Sequence, residues 1–434
     1  MLEDKNFCGF SPSLYVHIPF CISKCDYCDF FSLPCANKGI PDSYVKALCA
    51  EIEFYAKKYS VSSWKTLYVG GGTPSLLSPS QMDFLFDRIF AFSKSKILES
   101  TFEMNPESLS KEKLEVLKKY GFTRVSLGIQ SFSEKSLAAV KRHCSPEKIF
   151  EAMKIISSSW NGLLNLDLIS GLPYLSDEDF LSGLKKLMSF NPSHISLYSL
   201  TVEEETPLFK KIKNGLPFDF DTVDRQWLLG FDLLEKCGFE QYEVSNFCSK
   251  KNISLHNMAY WQQQNYIGAG SGATGTLWLS DEKTSSCSEK DICGTRWTVS
   301  KNIDSYIKFW TQNCTQNSLQ NRAQAEGKKF CGFDETSLPC ETELPCETEK
   351  ITLKTREFEY LMMGFRTKIG VDKKKYALLF KNLPPFFGNL DERLETSSVW
   401  KKFVLDSRAF INKERAALNS SGLNFLNELL LDLV

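Results

Sequence analysis

Six short apolar runs alternate with six amphipathic stretches through the first half of the chain, and this alternation constrains the fold more than any other feature. The runs, at 13–18, 66–70, 100–104, 123–129, 163–169 and 194–200, are rich in β-prone residues. The stretches between them, at about 42–59, 79–92, 110–120, 133–141, 146–159 and 176–189, carry a helical period. Several open on helix-start chemistry: Ser78-Pro79, Ser110, Ser145-Pro146 before Glu147, and Ser176 before Asp177 and Glu178. Strands that alternate with helices predict a parallel sheet with right-handed crossovers. Six units fall short of the eight of a closed barrel, so the expected fold is α/β, an open partial (β/α)6 barrel. Its functional residues belong at the carboxyl ends of the strands.

The pattern changes after residue 215. The barrel is expected over 1–215 and a barrel-adjacent segment over 216–280, with a helix at 221–237, a strand near Gly238, the run His256-Asn-Met-Ala-Tyr-Trp261 and a glycine-rich turn at 268–275. Residues 281–350 turn to Ser, Thr, Asn, Gln, Glu and Lys and contain a tandem hexapeptide, Leu338-Pro-Cys-Glu-Thr-Glu and its repeat from Leu344. Lacking a core-facing stripe, that stretch reads as an irregular insertion. Cys340 and Cys346 within it have no histidine beside them to complete a metal site. Residues 351–434 read as a C-terminal α+β or helical, winged-helix-like region.

Composition narrows the function classes. Fifty-two basic and 53 acidic side chains leave a net charge of -1, which gives no footprint for nucleic acid. The first residues lack the basic-then-apolar order of a secretory signal, and no apolar run reaches the ~18 residues of a membrane span. The expected compartment is the cytoplasm, where thiols stay reduced. Most of the 15 cysteines then read as small buried hydrophobes. Three do not.

Cys21, Cys25 and Cys28 share one loop just after the first strand. Three thiolates so spaced, with no fourth at similar spacing, suit a 4Fe–4S cluster with one iron left for another ligand. A structural zinc site wants four ligands, commonly as two separated pairs, although Cys35 stands nearby as a candidate fourth. Gly70-Gly-Gly-Thr-Pro74 follows the second strand. Its glycines let a ligand approach the backbone, and the lysine and immediate helix of a phosphate-binding P-loop are absent. Glu103, Gln130 and Asp167 end the third, fourth and fifth strands, so they face the same barrel mouth. Singly each reads as a structural polar group; jointly, on one rim with the cysteine loop, they read as a site.

These motifs, in this order, with Tyr15-Val-His-Ile-Pro-Phe-Cys21, Gly128-Ile-Gln-Ser-Phe132 and Asn165-Leu-Asp-Leu-Ile-Ser-Gly-Leu-Pro173, resemble the radical S-adenosylmethionine (SAM) superfamily, and within it the HemN/HemW group of coproporphyrinogen-oxidase-like proteins. The resemblance runs from Leu14 to about Gly275. It implies that Cys21, Cys25 and Cys28 hold the cluster, that the methionyl end of SAM chelates the open iron beside Gly71, Gly72 and Thr73, that Glu103 accepts from the ribose, and that Tyr15 lies beside the cluster. Reduction of SAM would release methionine and a 5′-deoxyadenosyl radical. In HemN-type relatives a second SAM is bound; the matching positions are Tyr27, Gln130, Arg142 and Asp167.

Two purposes share this core. The oxidase branch carries a further cysteine two positions after the third and an N-terminal extension; here that position is Phe30, and about a dozen residues precede the first strand. Both features resemble the HemW branch of heme chaperones, as does the run from His256 to Trp261. That resemblance implies heme as a ligand, with His256 its candidate axial partner, and hemoproteins of respiration, some at membranes, as acceptors. It leaves a homodimer open. His17 and His143 are weaker ligand candidates. A radical-SAM decarboxylase of a porphyrinogen is the alternative, and a zinc protein a third. Gly270-Ser-Gly-Ala-Thr274 departs from the Gly-Cys-Gly-Ala-His of many relatives.

Overall fold

The computed structural model describes residues 9–35, 38–312 and 345–433. Strands β1 (Ser13–Ile18), β4 (Thr66–Gly71), β5 (Glu99–Met104), β6 (Arg124–Gln130), β7 (Leu163–Ser170) and β8 (His194–Ser199) are neighbours in that order and pair in parallel. Helices α1 (Asp42–Lys58), α2 (Pro79–Phe90), α3 (Lys111–Lys119), α4 (Glu134–Ala139), α5 (Pro146–Ser159) and α6 (Asp177–Met188) lie between them in the chain. The serines expected to start helices do so: Ser78, Ser110, Ser145 and Ser176 each accept a bond from the amide three residues on, and Ser78 forms a reciprocal capping box with Gln81.

Alternation along the strands divides the sheet into two chemistries. Leu14, Val16, Leu67, Val69, Phe102, Val125, Leu127 and Leu166 form the fully buried core. Their neighbours in the chain, Tyr15, Tyr68, Glu103, Ser126 and Asp167, occupy the other, concave face, where the polar contacts collect.

The expected six strands are the middle of a twelve-stranded sheet. The two-residue strands β2 (Phe20–Cys21) and β3 (Leu33–Pro34) pair separately and close the cysteine loop. Beyond β8, β10 (Asn246–Cys248) and β9 (Glu240–Gln241) add antiparallel edge strands. On the other side, β11 (Tyr266–Ala269) runs parallel to β1, and β12 (Thr274–Trp278) turns back antiparallel to it. β13 (Ile292–Val299) and β14 (Cys346–Thr352) complete that edge.

The irregular reading of 281–350 therefore needs correction at both described ends. Residues Cys346–Glu349 of the second hexapeptide pair with β13, and a helix, Ile303–Gln312, packs on α1. A polar edge strand needs only alternate residues turned inward, so its average composition hides it. The first hexapeptide, with Cys340, lies outside the described residues.

Residues 353–433 form helices around a three-stranded sheet of Val371–Asp372, Arg415–Leu418 and Ala409–Ile411. Their core, including Leu361, Phe365, Tyr376 and Phe403, reaches Leu279 and Cys293, so this region packs onto the sheet extension. Among the described residues no helix is long and apolar enough to cross a membrane.

Candidate functional site

A cavity of about 390 Å³ opens at the carboxyl ends of the parallel strands. Cys21, Cys25, Tyr27, Cys28, Gly71, Gly72, Thr73, Glu103, Gln130, Arg142 and Asp167 all line it, although they come from six separate stretches of chain. The cysteine loop is held by its backbone: the Cys35 amide donates to the Cys21 carbonyl at 2.8 Å, and the Cys28 amide to that of Cys25 at 3.1 Å. Asp26 anchors the loop from behind. Its amide donates to Val140 and its carbonyl accepts from Leu208, both at 2.9 Å, while its buried carboxylate meets Lys211 at 2.6 Å and Lys141 at 3.5 Å.

Burial raises the Cys25 thiol, opposed by the Arg142 guanidinium, and lifts Cys28 to about 11. Among the described residues no three His, Cys, Asp or Glu side chains are close enough to hold one metal ion. Three sulfurs that share a cavity without meeting at a point suit separate irons of a cluster better than a single zinc. The Thr73 hydroxyl donates to Cys21 Sγ at 3.5 Å, so the glycine run and the cysteine loop touch.

Two glycines of that run are sterically required. A Cβ on Gly72 would lie 2.7 Å from the Phe20 carbonyl oxygen and 3.0 Å from Cys21 Sγ. Gly71 has φ +117°, and its Cβ would strike the His17 ring at 2.7 Å. The Gly71 amide donates to Glu103 Oε2 at 3.1 Å and the Tyr68 hydroxyl to Oε1 at 2.6 Å. Withdrawal from bulk water pushes the Glu103 carboxyl up to about 7 and raises Asp167 as well.

Gln130 follows a bulge at the end of β6 and takes φ +68°. Such a conformation costs a non-glycine residue about 1–3 kcal/mol, and here it accompanies a side chain on the cavity wall. Arg142 donates to the Gly128 carbonyl at 2.7 Å and to Asn105 Oδ1 at 2.9 Å, and Asn105 in turn donates to Thr73. Asn105 thus joins the two halves of the rim. Its position just past the end of β5 was the available signal.

Tyr15 and His256 sit elsewhere. Tyr15 does not line the cysteine cavity; its hydroxyl bonds His17 Nδ1 at 2.8 Å, and its ring lines a second cavity of about 440 Å³. His256, on helix α9 (Leu255–Trp261), lines neither cavity and is 1% exposed. Both ring nitrogens have partners at 2.8 Å, Nδ1 with Thr66 and Nε2 with Tyr260, so no lone pair stands open for iron in this arrangement. Of the weaker candidates, His143 lines the cysteine cavity and His17 the second one.

The second cavity lies on the same concave face, one bay along from the first, and Phe30, 71% exposed, lines both. Its walls come from β1, α9, β11, β12, β13 and the helix Leu353–Phe365. No local motif joins those segments, which is why sequence reasoning missed it.

Comparison with known proteins agrees with this architecture. The radical SAM superfamily profile matches residues 15–187. The chain is 37% identical over 276 residues to the heme chaperone HemW of Escherichia coli, covering 62% of this chain and 71% of that one. To HemW of Lactococcus lactis it is 30% identical over 331 residues, 75% of this chain and 82% of the relative. Among solved structures, coproporphyrinogen III oxidase (HemN) of Escherichia coli shares the fold, with a TM-score of 0.74 and 18% identity over 98% of this chain and 90% of that one. A parallel half-barrel with three cysteines at its mouth, matched along most of their length by such relatives, belongs to the radical SAM superfamily, in its HemN/HemW group.

Proposed function

We propose that this chain is a heme chaperone of the HemW type, which binds heme, carries a SAM-ligated 4Fe–4S cluster at the barrel mouth and passes heme to acceptor hemoproteins of respiration. The observation that carries this reading is the 37% identity to a curated heme chaperone over 71% of that protein's length. Phe30 supports it, as an apolar side chain at the position where the oxidase branch has a further cysteine.

In this reading Cys21, Cys25 and Cys28 hold the cluster, and SAM lies along Gly71, Gly72 and Thr73 with its ribose on Glu103. When bound, such a cluster supplies low-potential electrons at the sulfonium of SAM. The protein's own residues position and shield. Asp26 and its two lysines fix the loop, and Tyr68 with the Gly71 amide aims the Glu103 carboxylate. Arg142, Tyr27, Gln130 and Asp167 form the wall that a second SAM would use. His256 remains the proposed iron ligand on condition that Tyr260 leaves its Nε2.

The Glu103 carboxyl gives this assignment a pH signature. With its value raised to about 7, Glu103 is ionised above that pH and protonated below it. Ribose hydroxyls donate best to the ionised form. SAM affinity, measured by calorimetric titration of the anaerobic protein, is expected to fall as pH drops through 7, and Glu103→Gln to bind weakly with little pH dependence.

The reading as a whole is tested by titrating the anaerobically reconstituted protein with hemin and, in parallel, assaying it for coproporphyrinogen III decarboxylation. Saturable hemin binding without turnover is the expected result. Turnover without hemin binding would replace it with the second reading, a radical enzyme on a porphyrinogen, which the convergence of the cleavage residues on one cavity favours.

A further inference from the structure

We infer that His194 is a positioning residue for the barrel mouth, which through Asn165 orients the Asp167 carboxylate on the cavity wall. The inference deepens the proposed function and rests on its placing of Asp167 in the SAM-binding wall: it names what aims that carboxylate.

Strand register brings the groups together. Asn165 and Asp167 are alternate residues of β7 and share its concave face, with Asp167 on the cavity. Ser126 of β6 and His194 of β8 stand opposite Asn165 on its two sides, and Ser196 stands opposite Asp167. His194 is 2% exposed and lines neither cavity, so it acts on a ligand only through its neighbours.

The hydrogen bonds through His194 run in one direction. The Ser254 amide donates to the Tyr242 hydroxyl oxygen at 3.2 Å. That hydroxyl has one other partner among the described residues, His194 Nε2 at 2.8 Å, which therefore accepts its proton. Burial, with the Arg124 charge adding to it, keeps the imidazole neutral. With the lone pair of Nε2 in use, the ring carries its proton on Nδ1 and donates to Asn165 Oδ1 at 2.6 Å. The Asn165 NH2 is then turned toward the mouth, where it donates to Asp167 Oδ1 at 2.8 Å and to Ser126 Oγ at 2.7 Å. Ser126 in turn donates to Asp167 Oδ2 at 3.0 Å. Both carboxylate oxygens are held from beneath.

The two ends of a carboxamide have nearly the same shape, so its partners alone decide which way it faces. Turned about, Asn165 would set its oxygen against the Asp167 carboxylate. Ser196, 3.1 Å from Nδ2 and 3.3 Å from Oδ1, can donate or accept and so does not fix the choice. A histidine whose tautomer is set by Tyr242 does.

SAM titrations of the anaerobically reconstituted full chain test the inference, with Asp167→Asn as the reference. His194→Asn keeps a donor where Nδ1 stands. His194→Gln reaches the Nε2 position and keeps only the Tyr242 contact, while His194→Phe keeps the ring volume and neither bond. His194→Gln and His194→Phe are expected to weaken SAM binding roughly tenfold, as Asp167→Asn does, and His194→Asn to keep most of the wild-type affinity, with iron–sulfur absorption unchanged throughout. His194→Gln combined with Asp167→Asn is expected to bind SAM no more weakly than Asp167→Asn alone, since the two side chains act as a unit. If His194→Phe does not fold, the comparison of His194→Gln with His194→Asn carries the test. Affinity that follows side-chain volume, with His194→Asn the weakest binder, or losses that add in the double variant, would make His194 a packing residue and overturn this inference alone. Unchanged affinity in Asp167→Asn would take Asp167 out of the SAM wall and overturn that assignment together with the inference.

Discussion

Cys25→Ala is expected to eliminate the visible iron–sulfur absorption of anaerobically reconstituted protein, together with its acid-labile sulfide, while hemin still binds. Cys25 is the middle one of the three proposed ligands and the most buried, at 9% exposure, with Arg142 beside its sulfur. A cluster held by three thiolates loses one corner outright when one is removed, and among the described residues no other cysteine lines the cavity; the nearest in the chain is Cys35, outside it. That residue sits one strand pair away, its amide on the Cys21 carbonyl. The scaffold survives the substitution because Asp26, rather than the cysteines, ties the loop to Val140, Leu208 and Lys211. A thermal midpoint close to that of the wild type would show as much. Full cluster content in Cys25→Ala that disappears in Cys25→Ala with Cys35→Ala would make Cys35 a ligand. Loss of hemin binding along with the cluster would tie the two sites together and count against a heme site independent of the cluster.

The barrel was legible because its signal is periodic and local. Each strand is a short apolar run, every barrel helix after α1 opens on a serine cap, and the switch between periods recurs six times. The rim was legible for a related reason: in a parallel β/α fold a polar residue at a strand's carboxyl end has only the mouth to face, and Glu103, Gln130 and Asp167 meet there. The second bay was not legible. Tyr15, Tyr260, Trp278, Arg296 and Met363 lie far apart in the chain and are joined only by strand order, since β11 returns to pair with β1. Strand β14 was hidden by composition: Glu347, Glu349 and Lys350 face solvent, and the few inward positions are too sparse to lift the local average. The resemblance implies that Tyr15 lies beside the cluster; in the structure its hydroxyl bonds His17 and it lines the neighbouring bay.

The largest loss of stability is expected at the opposite end of the barrel, from Arg124→Met. Arg124 and Glu99 form an ion pair at 3.0 Å with exposures of only 2% and 4%. Each holds more than the other: Arg124 also donates to the carbonyls of Asn252 and Ile253, and Glu99 Oε1 accepts from the Ser254 hydroxyl and the His256 amide. The pair therefore pins the start of α9 across the amino ends of β5 and β6. Methionine keeps much of the arginine's volume but leaves the Glu99 carboxylate buried without its counter-charge and two carbonyls without a donor. Breaking a buried pair from one side costs about 3–5 kcal/mol, a large share of the ~5–15 kcal/mol that holds a typical domain folded. Replacing both partners with apolar residues costs much less, because no charge is then stranded. Urea midpoints are thus expected to fall sharply for Arg124→Met and to recover in large part when Glu99→Leu is added. A double variant no more stable than the single one would assign the loss to packing. A second readout follows from what α9 carries: with His256, Tyr260 and Trp261 released from their anchor, hemin affinity should fall in Arg124→Met while the iron–sulfur absorption, held at the other end of the strands, persists.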